Sequence, residues 1–408
     1  MRGSGLRVRH LRHGYLRAMN GHKHDLLIIG GGPAGHSAAH GYRKAGGDGS
    51  VRLLSADSEP PYNRPPLSKE YLRGEAQDED LPIEGPGFYD EHDITVSPRA
   101  AVARLEPRAR RVHLSDGRNL GYRNCVVATG AEPVRPPVPG VEHPNVRQLR
   151  SADSGRQLRE CATTATRAAV VGSGFIGCEA AVSLARRGLR VTLVSTESVP
   201  QENRLGKDAG TRIAGWLREE GVRLRPETSL HRVVNGRVLH TDAGEPVHAD
   251  LVLLATGVKP RVGLADKAGL SVRTGRVRAD ECMRTSAAGV LAAGDVVLAH
   301  NAAAGRALPV EHWGEALIMG ELAGATAAGA ASSWQNAPGF WSVIGDRVLK
   351  YAAWGDGFDE EKLVQHSENA FTVWYGWGGT TVGVLTHQAD QDYERGTDLV
   401  EPGGPLPR

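Results

Sequence analysis

A glycine-rich turn set between a buried strand and a small-residue helix occurs twice in this chain, and that repetition narrows the possible folds more than any other feature. Asp25-Leu-Leu-Ile-Ile29 reads as a short buried strand. It runs into Gly30-Gly-Gly32-Pro-Ala-Gly35, then a helix ending at Gly46-Gly47, then a strand over 51–54. This is a Gly-x-Gly-x-x-Gly fingerprint in its strand–turn–helix context. Gly30 permits the tight turn, Gly32 lets the backbone approach a pyrophosphate, and Gly35 lets helix and strand pack closely. The helix N-terminus offers free N–H groups and its positive dipole end to the phosphates. The second copy is the strand Ala168-Ala-Val-Val171, the loop Gly172-Ser-Gly174-Phe-Ile-Gly177, a helix that stops at Gly188, and a strand over 191–194. Two such units point to two dinucleotide sites. Cys125-Val-Val-Ala-Thr-Gly130 and Leu251-Val-Leu-Leu-Ala-Thr-Gly257 repeat a second feature, an apolar strand ending in Ala-Thr-Gly.

The 408 residues fit two or three domains, and 40% apolar against 24% charged composition supports buried cores. Forty-nine Lys and Arg against 47 Asp and Glu leave +2, so charge gives no argument for a nucleic-acid partner or a membrane surface. No apolar run approaches the ~20 residues a membrane span needs. Residues 1–24 are basic, without the apolar stretch of a secretory signal, and read as a disordered extension in which Met19 is a second candidate initiator. The expected location is the cytoplasm. Cys125, Cys161, Cys178 and Cys282 are irregularly spaced, with no Cys-x-x-Cys, and Cys125 and Cys178 read as buried apolar residues. His36 and His40 are four apart on a predicted helix but lack a third ligand, so no metal is expected. Composition shifts near residue 334, and 11 of the 21 aromatics lie from Trp334 onward. There 371–375 and 380–385 read as two strands around a Gly-rich turn, and the segment suggests an α+β cap. The Pro/Gly-rich tail over 401–408 is expected to be mobile.

Pro61-Tyr-Asn-Arg-Pro-Pro-Leu-Ser-Lys69, Ala292-Ala-Gly-Asp295 and Glu311-His-Trp313 add a family likeness. With the two glycine units, the chain resembles the flavoprotein oxidoreductases with two dinucleotide-binding domains. It is most similar to the ferredoxin reductases of oxygenase and cytochrome P450 systems (the putidaredoxin and rhodocoxin reductase type) and to apoptosis-inducing factor. The resemblance covers residues 25 to about 345. It implies FAD on the first unit, over Gly30, Gly32, Pro33, Ala34 and Gly35. Arg64 would approach it from the proline-rich loop, Asp295 would accept from the ribityl chain, and the Val102 backbone would contact adenine. Ala128, Thr129, Gly130, Gly257, Glu311 and His312 complete the cofactor set so implied. NAD(H) would lie over Gly172, Gly174, Phe175, Ile176 and Gly177. Lys69, Glu179 and Trp313 are the implied catalytic residues: a lysine near flavin N5 stabilises the reduced ring, and Glu179 pairs with it. Trp341 would also lie near the flavin.

Three departures bear on function. In the first unit the acidic position that binds the adenosine ribose falls on Ala56, and neighbouring Asp57 is the candidate. In the second unit Ser195 stands at that position. Either Glu197 reaches the ribose, which favours NADH, or Ser195 and Thr196 make room for a 2′-phosphate with Arg204 supplying charge, which favours NADPH. Finally, no cysteine lies between the first fingerprint and Cys125, so electrons reaching FAD have no adjacent disulfide to pass through.

The expected fold is α/β: two Rossmann-like, three-layer ββα dinucleotide-binding domains plus a C-terminal α+β domain. The FAD-binding domain would take 25–135 and 259–330, the NAD(P)H-binding domain 136–258, and the cap 331–408. The expected activity is NADH:ferredoxin reductase, with a ferredoxin-type iron–sulfur protein as partner and a monomer or homodimer as the working form. The alternatives are a redox-signalling flavoprotein like apoptosis-inducing factor, and a reductase of a small acceptor such as a quinone or monodehydroascorbate. The segment from 334 onward carries eleven acids against five bases, an unhelpful sign for docking an acidic ferredoxin.

Overall fold

The computed structural model describes residues 23–407. The extension expected over 1–24 lies outside the described residues, apart from Lys23 and His24, which open the first strand. That strand, Lys23–Ile29, has Val51–Leu54 on one side and Asn119–Val127 on the other, both parallel to it. Ile94–Ser97 adds a further parallel strand beyond Val51–Leu54. Arg111–Leu114 and Val102–Glu106 extend the other edge antiparallel, and Val290–Ala292 returns from far along the chain to pair with Asn119–Val127. Leu26, Leu27 and Ile28 are fully buried, as an unbroken apolar run requires of a strand covered on both faces. The strand that Cys125 was expected to open begins six residues earlier, at Asn119. Its earlier residues, Tyr122 apart, are exposed or half-buried where it joins the antiparallel edge, and only 125–127 form an unbroken buried run, so the apolar run marks a third of the strand.

Helix Pro33–Lys44 covers this sheet and packs against helix Trp313–Ala328. A Cβ on Gly320 or Gly324 would collide with the backbone of Ala34 or Ala38, so the two helices approach at backbone distance. The second sheet is parallel throughout, in the order Arg223–Arg225, Arg190–Val194, Arg167–Val171, Leu251–Leu254, Val146–Gln148. The chain crosses from the first sheet to the second and back through two short strands, Ala131–Pro133 and Val258–Pro260, which pair antiparallel.

The C-terminal segment forms a five-stranded antiparallel sheet in the order Gly339–Ile344, Arg347–Ala353, Thr380–His387, Ala370–Trp377, Glu360–Ser367. Helix Asp390–Val400 packs on it, with Gly396 against Val384. Most of its aromatics are core, including Trp334, Phe371, Trp374 and Tyr375, while Trp341 and Trp377 are exposed. The tail expected to be mobile is instead tied to the sheet. Thr381 N donates to Gly404 O at 2.8 Å, Leu406 N to Gly379 O at 2.9 Å, and Lys362 Nζ to Pro407 O at 3.2 Å. Its prolines and glycines shape an extended edge segment that the composition read as loose.

Glu315, near the start of helix Trp313–Ala328, is 4% exposed and joins that helix to the C-terminal segment. Its carboxylate accepts from Trp334 Nε1 at 3.0 Å and from Gly339 N at 3.3 Å. Burial outweighs both donors and pushes its pKa up to about 7. A folded-state value above the unfolded one gives stability that is complete below the unfolded pKa and is lost as pH rises through 7. Urea denaturation between pH 5 and pH 8 is therefore expected to show the wild type losing about 2–3 kcal/mol relative to Glu315→Gln. Parallel pH profiles for the two proteins would contradict this.

Candidate active site

Both glycine turns open onto one cleft of about 1730 Å3, whose remaining wall includes residues 311–314 and 340–341. Gly30 has φ +129° and Gly172 φ +106°, and a Cβ on either would collide with the carbonyl of Ala128 or Ala255. Gly35 and Gly177 press against the carbonyl oxygens of Gly30 and Gly172 in the same way. Gly35, Gly172 and Gly177, expected among the cofactor contacts, do not border the cleft. Their work is to close strand on helix, behind the surface that a ligand meets. Gly30, Gly32, Pro33, Ala34, Gly174, Phe175 and Ile176 do border it. A Cβ on Gly174 would meet nothing within 4 Å, and one on Gly32 only an Arg64 nitrogen at 3.8 Å, so the backbone is open to a phosphate at both turns.

The Ala-Thr-Gly turns are more than strand ends. Thr129 Oγ1 donates to Arg261 O at 2.9 Å and Thr256 Oγ1 to Val134 O at 2.8 Å, so each threonine ties its sheet to the crossing strands. Ala128, Thr129, Gly130 and Gly257 all border the cleft, as do Val102 and Asp57. Asp57 accepts from Tyr62 Oη at 2.7 Å and Ser58 N at 2.8 Å. Burial first, with that carboxylate adding to it, pushes the Tyr62 phenol up to about 12.

Arg150 donates to Asp295 Oδ2 at 2.7 Å, and Arg64 lies beside the pair with its buried Nε unpartnered. Burial, then the like charge of Arg150, lowers the Arg64 pKa. Arg64 and Arg150 thus bring two guanidiniums to this wall, a donor set that suits a dinucleotide pyrophosphate. Glu311 pairs with Arg276, which also donates to the Asp295 backbone carbonyl. His312 precedes helix Trp313–Ala328 with its ring 4.6 Å from that of Phe340. Burial, then Arg204, lowers its pKa to about 4, so the imidazole is neutral at pH 7. Trp313 and Trp341 border both the cleft and a smaller crevice of about 280 Å3, as does Lys69.

Lys69 sits between the turn Pro65–Ser68 and the short helix Glu70–Arg73, and Glu179 lies in helix Phe175–Arg186. Their charges meet at 3.1 Å at the cleft wall, with side chains 11% and 7% exposed. Ser68 Oγ and Ser342 Oγ also donate to Glu179, at 2.6 and 2.7 Å. In the second unit Glu197 borders the cleft and accepts from Ser173 Oγ at 2.9 Å and Asn203 N at 3.0 Å. Ser195 turns inward, its Oγ 2.6 Å from Ser173 Oγ, and Arg204 lies over the Phe175 ring. All four cysteines are free, and none borders the cleft; burial pushes the thiols of Cys125 and Cys178 up. His36 is packed instead on Tyr89 and Glu84, away from the cleft.

Arg150, Ser173, Ser68 and Ser342 were not among the residues expected at the site. Ser68 stands beside Lys69 in the proline-rich motif and Ser173 inside the second fingerprint, so both had a local signal. Ser342 had none, being one serine in an aromatic strand.

The fold and this cleft are those of an FAD-dependent NAD(P)H oxidoreductase. The chain belongs to the pyridine nucleotide-disulphide oxidoreductase family, whose model matches residues 24–329. It is 30% identical to rhodocoxin reductase of Rhodococcus erythropolis over 94% of this chain and 90% of that one. It is 31% identical to rubredoxin-NAD(+) reductase of Pseudomonas putida over 83% and 88%. Among solved structures, the covalent putidaredoxin reductase–putidaredoxin complex matches with a TM-score of 0.88 at 28% identity, covering 93% of both chains.

The Lys69–Glu179 pair yields a stability prediction. Glu179→Ala leaves a largely buried ammonium without its partner and is expected to cost about 3–5 kcal/mol. The double replacement Lys69→Met with Glu179→Leu should recover part of that loss, since the charge is gone while the buried Ser68 and Ser342 hydroxyls stay without their acceptor. Thermal unfolding of the single and double variants measures both, and a double variant no more stable than Glu179→Ala would contradict the account.

Proposed function

We propose that this chain carries electrons from NADH through FAD to a small iron–sulfur protein of an oxygenase or cytochrome P450 system. The observation that carries the reading is the convergence of both glycine loops on one cleft, with the Lys69–Glu179 pair on its wall and no cysteine beside it. The names of the relatives agree, being reductases of rhodocoxin and rubredoxin. Bound FAD supplies the conversion between two-electron and one-electron chemistry.

The residues of the chain do the rest. Gly30, Gly32 and Ala34 present backbone to the FAD pyrophosphate, Arg64 and Arg150 neutralise it, and Asp57 and Val102 meet the adenosine end. Asp295, held by Arg150, orients the ribityl chain. Gly174, Phe175 and Ile176 would hold the nicotinamide nucleotide in the same cleft. The Lys69 ammonium on the cleft wall would stabilise negative charge on the flavin. His312, neutral, adds no competing charge. Residues 25–135 with 259–330 are the FAD-binding unit, 136–258 the NAD(P)H-binding unit and 331–408 the cap. The sheets support this division, since the chain passes between them at the paired strands Ala131–Pro133 and Val258–Pro260. The reading places the protein in the cytoplasm, where NADH is available, and no helix among the described residues is long and apolar enough to cross a membrane.

Anaerobic stopped-flow mixing with NADH and with NADPH tests the first half of the reaction. Rapid bleaching of the flavin by NADH is expected, followed by reduction of an added [2Fe–2S] ferredoxin or rubredoxin. Failure of both nucleotides to bleach it would reject the proposal. Glu197, locked by two donors three residues beyond the strand Arg190–Val194, is assigned to the adenosine ribose and sets the preference for NADH. Glu197→Ser is expected to raise the ratio of NADPH to NADH efficiency roughly tenfold by removing a like charge from the 2′-phosphate position. Steady-state kcat/KM for both nucleotides decides it, and an unchanged ratio would return the preference to other residues.

A further inference from the structure

Each oxygen of the Glu179 carboxylate has two donors, and the two pairs come from different parts of the chain. Oε2 accepts from Ser68 Oγ at 2.6 Å and Lys69 Nζ at 3.1 Å, both on the proline-rich segment. Oε1 accepts from Ser342 Oγ at 2.7 Å and Val343 N at 3.4 Å, both on the first strand of the C-terminal sheet. Ser342 is 1% exposed and its hydroxyl has no other side-chain or backbone partner among the described residues. It alternates with Trp341, which faces outward, and shares the inward face with Phe340 and Ile344. A hydroxyl on an otherwise apolar inward face costs free energy unless it is hydrogen-bonded, and the bond it makes is to Glu179. Ser342 does not border the cleft, so it touches neither nucleotide.

We propose that Ser342 is a positioning residue for the hydride-transfer step: the C-terminal sheet, through the Ser342 hydroxyl, sets the rotation of the Glu179 carboxylate and thereby the place of the Lys69 ammonium. The proposal rests on the reading of Lys69 and Glu179 as the pair beside the flavin. Without the hydroxyl, Oε1 keeps one long backbone donor in a site 6% exposed, where water does not readily replace it. The carboxylate then turns to share its remaining donors, and the ammonium it holds moves with it. The cap would thus be part of the active site, although Ser342 reaches it only through Glu179.

The test uses the full, FAD-loaded chain. Limiting rates of flavin reduction and apparent Kd for NADH come from anaerobic stopped flow, and flavin midpoint potentials from equilibration with redox dyes. Ser342→Ala is expected to slow reduction roughly tenfold, as the loss of one charge-assisted hydrogen bond implies, with the apparent Kd for NADH changed less than twofold. Its potential should move in the same sense as that of Glu179→Gln. Ser342→Thr, which keeps the hydroxyl, should restore the rate, and Ser342→Ala combined with Glu179→Gln should be no slower than Glu179→Gln alone. Should the alanine variant fail to hold FAD, Ser342→Cys, of similar volume and weaker as a donor, is expected to give an intermediate rate. A wild-type rate and potential in Ser342→Ala, or in Ser342→Cys where that variant stands in, overturns the proposal, as does a double variant in which the two losses multiply. If Glu179→Gln reduces as fast as the wild type, the reading of the pair fails and this inference with it. If Glu179→Gln is slow and Ser342→Ala is not, the pair stands and Ser342 has no part in it.

Discussion

A carboxylate that is taken out of water must be given donors, and at Glu179 they are drawn from two stretches of chain distant from it and from each other. The proline-rich segment brings Ser68 and Lys69, the helix after the second glycine loop brings the acid itself, and the C-terminal sheet brings Ser342 and the Val343 N–H. Each stretch buries apolar surface of its own, but only in one mutual arrangement are all four donors satisfied. A buried ion pair of this kind is weak evidence for stability, but any docking that separates the two charges leaves one of them buried and unpaired, which is costly. Around it the cleft takes its shape: Lys69 and Glu179 border the space into which both glycine turns open.

The other constraint is steric. At Gly30 and Gly172 the turn passes so close to the next strand of its sheet that a Cβ would strike a carbonyl, and Gly35 and Gly177 bring the helix down onto the turn itself. The consequence is electrostatic. Two helices present their N-termini to one cavity, and Arg64 and Arg150 add positive charge along one wall. A family named for its disulphide chemistry is represented here by a chain whose cysteines lie away from that cavity, two of them fully buried. No cysteine among the described residues borders the cleft, and Trp341, largely exposed, stands at its rim.

Much of this was legible from residues alone, because the signals were local. The fingerprints, the strands on either side of them and the proline-rich loop each depend on neighbours within about ten positions, and backbone conformation follows from glycine, proline and an apolar run. The antiparallel start of Asn119–Val127 escaped notice because its exposed and half-buried residues pair with an edge strand whose existence is a tertiary fact. The tail escaped for a similar reason: proline and glycine mark both a loose end and an extended segment, and only the edge near Thr380 decides between them. Arg150 and Ser342 were missed because a lone arginine after a linker and a lone serine in an aromatic strand have no local pattern.

By itself the amino-acid sequence determined that this chain builds two phosphate-cradling turns and that it lacks a cysteine pair to work between them, since both follow from residue type and short-range spacing. Only the tertiary structure decided that the two turns face the same space, that Lys69 finds its partner 110 positions away, and that a serine of the last sheet holds that partner. The physical reason is range. Turn geometry is set by the φ, ψ and Cβ of a few adjacent residues, whereas the pairing of buried charge is set by whichever segments packing brings within 3 Å, and the order of residues along the chain does not encode that distance.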